Sequence, residues 1–282
     1  MIYQKDIEHF LDEDLRYEDV SGTLVPCVDV EAVIFTKEPC TVSGTEVAAA
    51  VFDYMKIDAV PLVRDGDRLN AGDPVFRIKG RSVSVLRAER LVLNFLSHLS
   101  GIATETAACV SLAAEACLAV GTRPPRIACT RKTMPGLRKY EKEAVRHGGG
   151  DAHRHDAAGC VMIKDNHIAV MGLENALKSA REKASFTQKI DVEVEAANDA
   201  VTVAAMGADI VMLDNMTPDR IEETVRALEA AGLRSRVILE ASGGIAKKEL
   251  PDYAVSGVDV ISLSAVITRA PWIDMSLDIV PE

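Results

Sequence analysis

From residue 125 onward the chain alternates short apolar runs with helical stretches, and this rhythm constrains the fold more than any other feature. The runs RIACT at 126–130, CVMIK at 160–164, KIDVEVE at 189–195, DIVMLD at 209–214, RVILEAS at 236–242 and DVISLS at 259–264 read as strands. Helical stretches at 173–184, 197–206 and 217–231 lie between them, the last with Pro218 in its first turn and Gly232 at its end. Strand–helix alternation with short loops means parallel strands joined by right-handed crossovers. Six such strands, several ending in a polar or charged residue, predict an α/β barrel better than a flat sheet, with the site at the C-terminal strand ends.

The first hundred residues follow another pattern. Residues 3–15 read as an amphipathic helix with Ile7, Phe10, Leu11 and Leu15 on one stripe. Extended runs at 28–36 and 59–78 are broken by turns at Asp65-Gly66 and Ala71-Gly72-Asp73-Pro74. From Val83 to about Cys117 the periodicity is helical, with Leu86, Arg90, Leu93, Leu96 and Leu99 at spacings of three and four. A first domain over 1–105 and a barrel over 106–267 are expected, with a tail of about 268–282 returning to the first. A chain of 282 residues suits two unequal cores.

Composition narrows the function. With 48% hydrophobic and 27% charged residues the chain buries a real core. A net charge of −11 argues against a nucleic-acid binder. The six cysteines show no CxxC or pairing rhythm and read as reduced thiols. No apolar run reaches the roughly 18 residues of a membrane span, and the start reads as an acidic amphipathic stretch rather than a leader, so the expected location is cytoplasmic, with no membrane partner. The charge is uneven, however: Arg123 to His167 carries a net +5 and the remaining chain −16. A cationic island in an acidic protein implies a compact anion site.

Arg138, Lys139, Lys142 and Arg146, interleaved with Glu141 and Glu143 at helical spacing, read as a solvated helix face. That leaves Arg131, Lys132, Arg154 and Lys164 for the anion. The strand ends add Glu193 or Glu195, Asp214-Asn215, Ser242-Gly243-Gly244 and Ser262 to Ser264. Acids on neighbouring strands suit Mg²⁺ through one or two carboxylates, and small-residue turns let backbone N–H groups approach a phosphate. Gly148-Gly149-Gly150 implies a close backbone approach or a mobile loop, without dinucleotide or P-loop spacing. In His153-Arg154-His155 the two histidines share a side if the backbone is extended, which makes a transition-metal site conceivable, although no third Cys or His has supportive spacing.

The segments RAERLVLNFLSHLSGIAT (87–104), TRKTMPGLRKYEKEAVRHGGG (130–150), HR (153–154), IKDNH (163–167), DVEVE (191–195), MLDN (212–215) and EASGGI (240–245) together resemble the quinolinate phosphoribosyltransferases, in order and over nearly the whole chain. The resemblance implies an N-terminal α/β sandwich domain, an incomplete α/β barrel of about seven strands, and a homodimer or higher homo-oligomer. It implies that quinolinate and phosphoribosyl pyrophosphate (PRPP), with Mg²⁺, give nicotinate mononucleotide, pyrophosphate and CO₂. The implied substrate-binding residues are Arg90, Arg131, Lys132, His153, Arg154, Lys164, Glu193, Asp214, Ser242, Gly243, Gly244, Ser262 and Ser264. Lys132, Lys164, Glu193 and Asp214 would be catalytic, Glu193 and Asp214 would serve Mg²⁺ directly or indirectly, and Arg90 would reach the neighbouring subunit's site. The chain departs from the family pattern at Ala152, at Asp156-Ala157 and at Ser264. The alternatives are a divergent homologue of the molybdenum-transport-associated type, which typically lacks the lysine present here as Lys164, and a non-catalytic phosphate-ligand sensor.

Overall fold

A computed structural model describes residues 4–17 and 19–280. The elements, in chain order, are α1 (Gln4–Leu15), β1 (Asp29–Thr36), β2 (Cys40–Thr41), α2 (Thr45–Tyr54), β3 (Asp58–Pro61), β4 (Arg68–Leu69), β5 (Pro74–Arg81) and α3 (Ser82–Val120). There follow β6 (Arg126–Ala128), α4 (Arg138–His147), β7 (Val161–Ile163), α5 (Asp165–Met171), α6 (Leu173–Lys183), β8 (Ile190–Val194) and α7 (Ala197–Ala205). The last are β9 (Ile210–Asp214), α8 (Pro218–Ala230), β10 (Ile238–Ser242), α9 (Leu250–Val255), β11 (Val260–Ser262), α10 (Ala265–Thr268) and β12 (Met275–Val280). Residue 3, included in the helix expected over 3–15, lies outside the described residues.

The chain divides into two compact units. The first holds residues 1–107, 146–149 and 270–282, and the second holds 108–145 and 150–269. In the first, an antiparallel sheet in the order β12, β1, β5, β3 is covered by helices, giving the α/β sandwich. Alternation on β1 sends Ala32, Ile34 and Thr36 inward, where Ile34 meets Phe52, Phe76, Ile78 and Leu96 in one core. The Phe52 and Phe76 rings meet edge to face at 5.6 Å. One stretch of α3 is apolar enough by composition to cross a membrane, contrary to the reading of the sequence. About a third of that stretch is buried, and nearer the start of the helix Val85, Ala88, Val92 and Leu96 pack into this core. The glycine run at 148–150 does involve a close approach: a Cβ on Gly148 would stand 2.4 Å from the Ala103 carbonyl oxygen.

The second unit is the barrel. Six parallel strands lie in the order β6, β11, β10, β9, β8, β7, so the first strand of the unit pairs with the last. Asp151 bridges in parallel to Ala128 beside β6, one residue standing where a seventh strand would run. No ladder joins β6 to β7 among the described residues, so the barrel is incomplete. Helix α8 starts at Pro218, where a missing N–H costs nothing, and closes over Leu228 with the Leu233 N–H at 2.8 Å from its carbonyl.

One expectation fails on α4. Lys142 and Glu141 are buried, not solvated. Lys142 Nζ donates to the Ala152 carbonyl and to Cys129 Sγ, and Glu141 Oε2 accepts the Met134 N–H at 3.0 Å. Burial is tolerated because each charged group has polar partners. Gly148→Ala should lower stability by about 1–3 kcal/mol, the usual cost of overpacking, and thermal melting measures it. An unchanged melting temperature would mean that the backbone there gives way freely.

Candidate active site

The parallel register gathers residues far apart in sequence. Side chains 191 and 193 on β8, 212 and 214 on β9, and 240 and 242 on β10 share one side of their strands by the two-residue period. Pairing sets Glu193 opposite Met212, Met212 opposite Glu240, and Asp214 opposite Ser242. At the C-terminal rim a cavity of about 970 Å³ opens. Of the residues predicted from sequence it is lined by Arg131, Lys132, His153, Arg154, Lys164, Glu193, Asp214, Ser242, Gly243, Gly244, Ser262 and Ser264. Arg90 is exposed on the part of α3 that belongs to the other unit and does not line this cavity. Glu195 is exposed one residue past β8 and is likewise outside the lining.

Cations and acids occupy distinct strands. Arg131 and Lys132 follow β6, where the Thr130 hydroxyl accepts the Lys132 N–H at 3.1 Å. Lys164 precedes α5; the His167 Nδ1 accepts its N–H at 3.1 Å, so the IKDNH string is partly a device for turning the chain after β7. The Lys164 ammonium bonds Glu193 Oε2. Asp214 is pushed up from its ordinary range, by burial first and then by the charge of Glu193, and Asn215 Nδ2 donates to it at 2.6 Å. Asn215 itself is left-handed at φ 53°, and a Cβ on Gly243 (φ 92°) would stand 2.5 Å from the Asn215 Oδ1. Only glycine fits that approach, which leaves the Ser242-Gly243-Gly244 backbone bare toward the cavity.

The barrel interior beneath holds three polar groups, of which sequence reading singled out only His153. Glu240 accepts the Ser262 hydroxyl and faces His153 Nε2 at 3.2 Å. Asp191 is fully buried and neither oxygen has a hydrogen-bond partner among the described residues. The signal for both acids was present: each is a charge within a short strand, two residues before a rim residue of the same parity, Glu193 on β8 and Ser242 on β10. Histidine 153 is left-handed at φ 53°, so the extended backbone assumed for a His153/His155 pair does not form. Donor atoms of His153, Asp191 and Glu240 do lie within 4.8 Å of one another. Yet His153 Nδ1 accepts the Arg154 N–H at 2.7 Å, which keeps the ring proton on Nε2 and denies that nitrogen to a metal.

The three departures from the family pattern are absorbed locally. Ala152 is buried and acts through its carbonyl. Asp156 Oδ1 accepts the Ala158 and Gly159 N–H groups at 2.8 and 3.2 Å. Ser264 precedes α10 and its carbonyl takes the Ile267 and Thr268 N–H groups. Burial pushes the cavity thiol Cys160 up to about 11 and raises Cys129 as well, so neither offers a thiolate near neutrality.

An open parallel barrel with cations, paired acids and a glycine turn at its C-terminal rim defines an enzyme for phosphorylated and carboxylated small molecules. The chain belongs to the quinolinate phosphoribosyltransferase family: the model of the family's N-terminal domain matches residues 19–100 and that of its C-terminal domain residues 102–278. It is 44% identical over 266 residues to a probable nicotinate-nucleotide pyrophosphorylase [carboxylating] of Archaeoglobus fulgidus, covering 93% of this chain and 98% of that one. The human nicotinate-nucleotide pyrophosphorylase [carboxylating] is 37% identical over 272 residues, 96% of this chain and 89% of its own. The solved nicotinate-nucleotide pyrophosphorylase from Francisella tularensis superposes with a TM-score of 0.90 at 32% identity, covering 99% and 98%.

Asp191 supplies a pH test. Burial first, then the charge of Glu240, pushes its carboxyl up to about 8, against the opposing charges of His153, Arg154 and Lys164. Between the ordinary value of 3.8 and about 8 the folded chain keeps a proton that the unfolded chain releases, so stability falls as pH rises through that window. The limiting slope is about 1.4 kcal/mol per pH unit. Asp191→Asn removes this contribution, and denaturant midpoints from pH 5 to 8.5 should show a shallower decline than wild type. Equal slopes would place the shared proton elsewhere.

Proposed function

We propose that this chain transfers the phosphoribosyl group of PRPP to quinolinate with decarboxylation, giving nicotinate mononucleotide, pyrophosphate and CO₂. The observation that carries the reading is one cavity in which Arg131, Lys132, Arg154 and Lys164 face Glu193 and Asp214 beside the 242–244 turn. Quinolinate is a dianion, and the planar guanidiniums of Arg131 and Arg154 suit bidentate grip on carboxylates. Lys132 and Lys164 act as point charges toward carboxylate or phosphate, and Ser262, Ser264 and the glycine turn offer hydroxyl and N–H donors to a phosphate.

In the reaction the bond from ribose C1 to pyrophosphate breaks and the bond from the pyridine nitrogen to C1 forms. Loss of the leaving group places positive charge on the ribose, which the carboxylates of Glu193 and Asp214 stabilise. The ring cation then accepts the electron pair released as the adjacent carboxylate departs as CO₂, and the ring carbon takes a proton from solvent. No side-chain nucleophile takes part, in keeping with the protonated cavity thiols. Glu193 and Asp214, hard oxygen donors whose charges oppose each other on adjacent strands, fit one Mg²⁺ held with substrate oxygens. When bound, that ion neutralises pyrophosphate charge. We place the enzyme in the cytoplasm as a homodimer in which the exposed Arg90 completes the site of a second copy.

With PRPP, Mg²⁺ and quinolinate the purified protein should yield pyrophosphate, CO₂ and nucleotide in equal amounts. Turnover of nicotinate without CO₂ would move the substrate, and silence with both acids would favour the divergent homologue or the sensor. Arg131→Ala should weaken quinolinate binding by roughly 1.5–3 kcal/mol, read by calorimetry; unchanged affinity would remove it from the site. Mixing inactive Arg90→Ala and Lys132→Ala proteins under subunit exchange should restore part of the activity, and no recovery would count against shared sites.

A further inference from the structure

The strand order of the barrel sorts charge around the cavity rim. Arg131 and Lys132 follow β6, Lys164 follows β7, and the acids Glu193 and Asp214 lie on β8 and β9. The sector above β10 and β11 is lined instead by two turns of small residues, 242–244 and 262–264, with buried Glu240 beneath them. Among the described residues that line this sector, Arg269 is the one cation.

The backbone ties Arg269 to the β11 turn. It follows the single turn of α10, its N–H donates to the Ala265 carbonyl at 3.0 Å, and the Thr268 hydroxyl donates to the Ser264 carbonyl at 3.1 Å. From Ser264 to Arg269 a helix rises only about 7.5 Å, so the arginine stays beside the turn. Its side chain is exposed, and among the described residues no hydrogen bond or ion pair engages the guanidinium. Two other rim cations are already engaged: Lys164 bonds Glu193, and Arg154 donates to the Cys160 carbonyl and to Met162 Sδ.

An anion in the β10–β11 sector calls for such a charge. The hydroxyl and backbone N–H donors of the two turns are neutral, and Glu240, which accepts the Ser262 hydroxyl, repels a phosphate set against the same turn. A guanidinium meets two phosphate oxygens through parallel N–H bonds and offsets that repulsion. Mg²⁺ and the pyrophosphate it neutralises belong with Glu193 and Asp214 on β8 and β9, which leaves the 5′-phosphate of PRPP for the small-residue turns.

We propose that Arg269 is a substrate-binding residue that grips the 5′-phosphate of PRPP, and of the nucleotide product, at the 242–244 and 262–264 turns. The inference rests on the phosphoribosyl-transfer reading above and adds a cation that the sequence analysis does not single out.

Calorimetry tests it with three probes, nicotinate mononucleotide, pyrophosphate and quinolinate, on wild type, Arg269→Ala and Arg269→Lys, each shown to be folded by thermal melting. Arg269→Ala should weaken nicotinate mononucleotide about tenfold, the loss of one charge-assisted contact, and leave quinolinate, which has no phosphate, unchanged. Arg269→Lys should recover part of the loss, since it keeps the charge without the fork. Added salt should lower the affinity of wild type for the nucleotide more steeply than that of the alanine variant. In turnover, KM for PRPP should rise in Arg269→Ala while KM for quinolinate holds. Unchanged nucleotide affinity in Arg269→Ala, an equal loss for quinolinate, or no nucleotide binding by wild type would overturn the proposal. A loss confined to pyrophosphate would overturn it too, by placing the guanidinium at the leaving group. If wild type binds the nucleotide but not quinolinate, the substrate reading fails instead, and the nucleotide comparison still decides the role of Arg269.

Discussion

Carboxylates buried inside a parallel barrel are the constraint on which the rest of the site depends. Glu240 and Asp191 sit where an α/β barrel ordinarily packs branched aliphatic side chains, and an unpaired charge there is costly. Each is answered differently. Glu240 is satisfied by Ser262 and His153, whereas Asp191, without a partner, is held toward its neutral form. The charges of Arg154 and Lys164 oppose the upward shift of Asp191, while their own hydrogen bonds go to the Cys160 carbonyl and Met162 Sδ and to Glu193.

The same logic explains where the backbone is strained. Among the described residues His153 and Asn215 are two of the three non-glycine residues with positive φ, and both border the cavity; Lys56, the third, lies in the other unit. Asn215 holds the carboxylate of Asp214 and leaves room that only Gly243 fills. Strain therefore sits where side chains must be re-aimed between one strand end and the next, and the regular strands beneath supply the rigidity that maintains it.

Much of this was legible in the sequence. The six strands of the barrel follow from alternation alone, because parallel strands need a crossover each and leave apolar runs of fixed length. The rim residues Arg131, Lys132, Lys164, Glu193 and Asp214 follow from the rule that strand ends carry chemistry. Tertiary context decided the rest. Helical spacing alone placed Lys142 on a solvated face, but it cannot see the Ala152 carbonyl that captures the ammonium. The period-two rule put His153 and His155 on one side only if the chain were extended, and a left-handed residue breaks that premise. Glu240 and Asp191 sat within quoted motifs yet went unassigned, because an acid in an apolar strand is read as a strand interrupted until its partners on other strands are known.

The most direct measurement is a crystal structure of the protein with quinolinate bound. The account predicts density for the pyridine ring in the cavity at the C-terminal rim, its carboxylates against Arg131 and Arg154 and its nitrogen toward the side of Glu193 and Asp214. Quinolinate bound elsewhere on the barrel, or a cavity empty at saturating ligand, would contradict it.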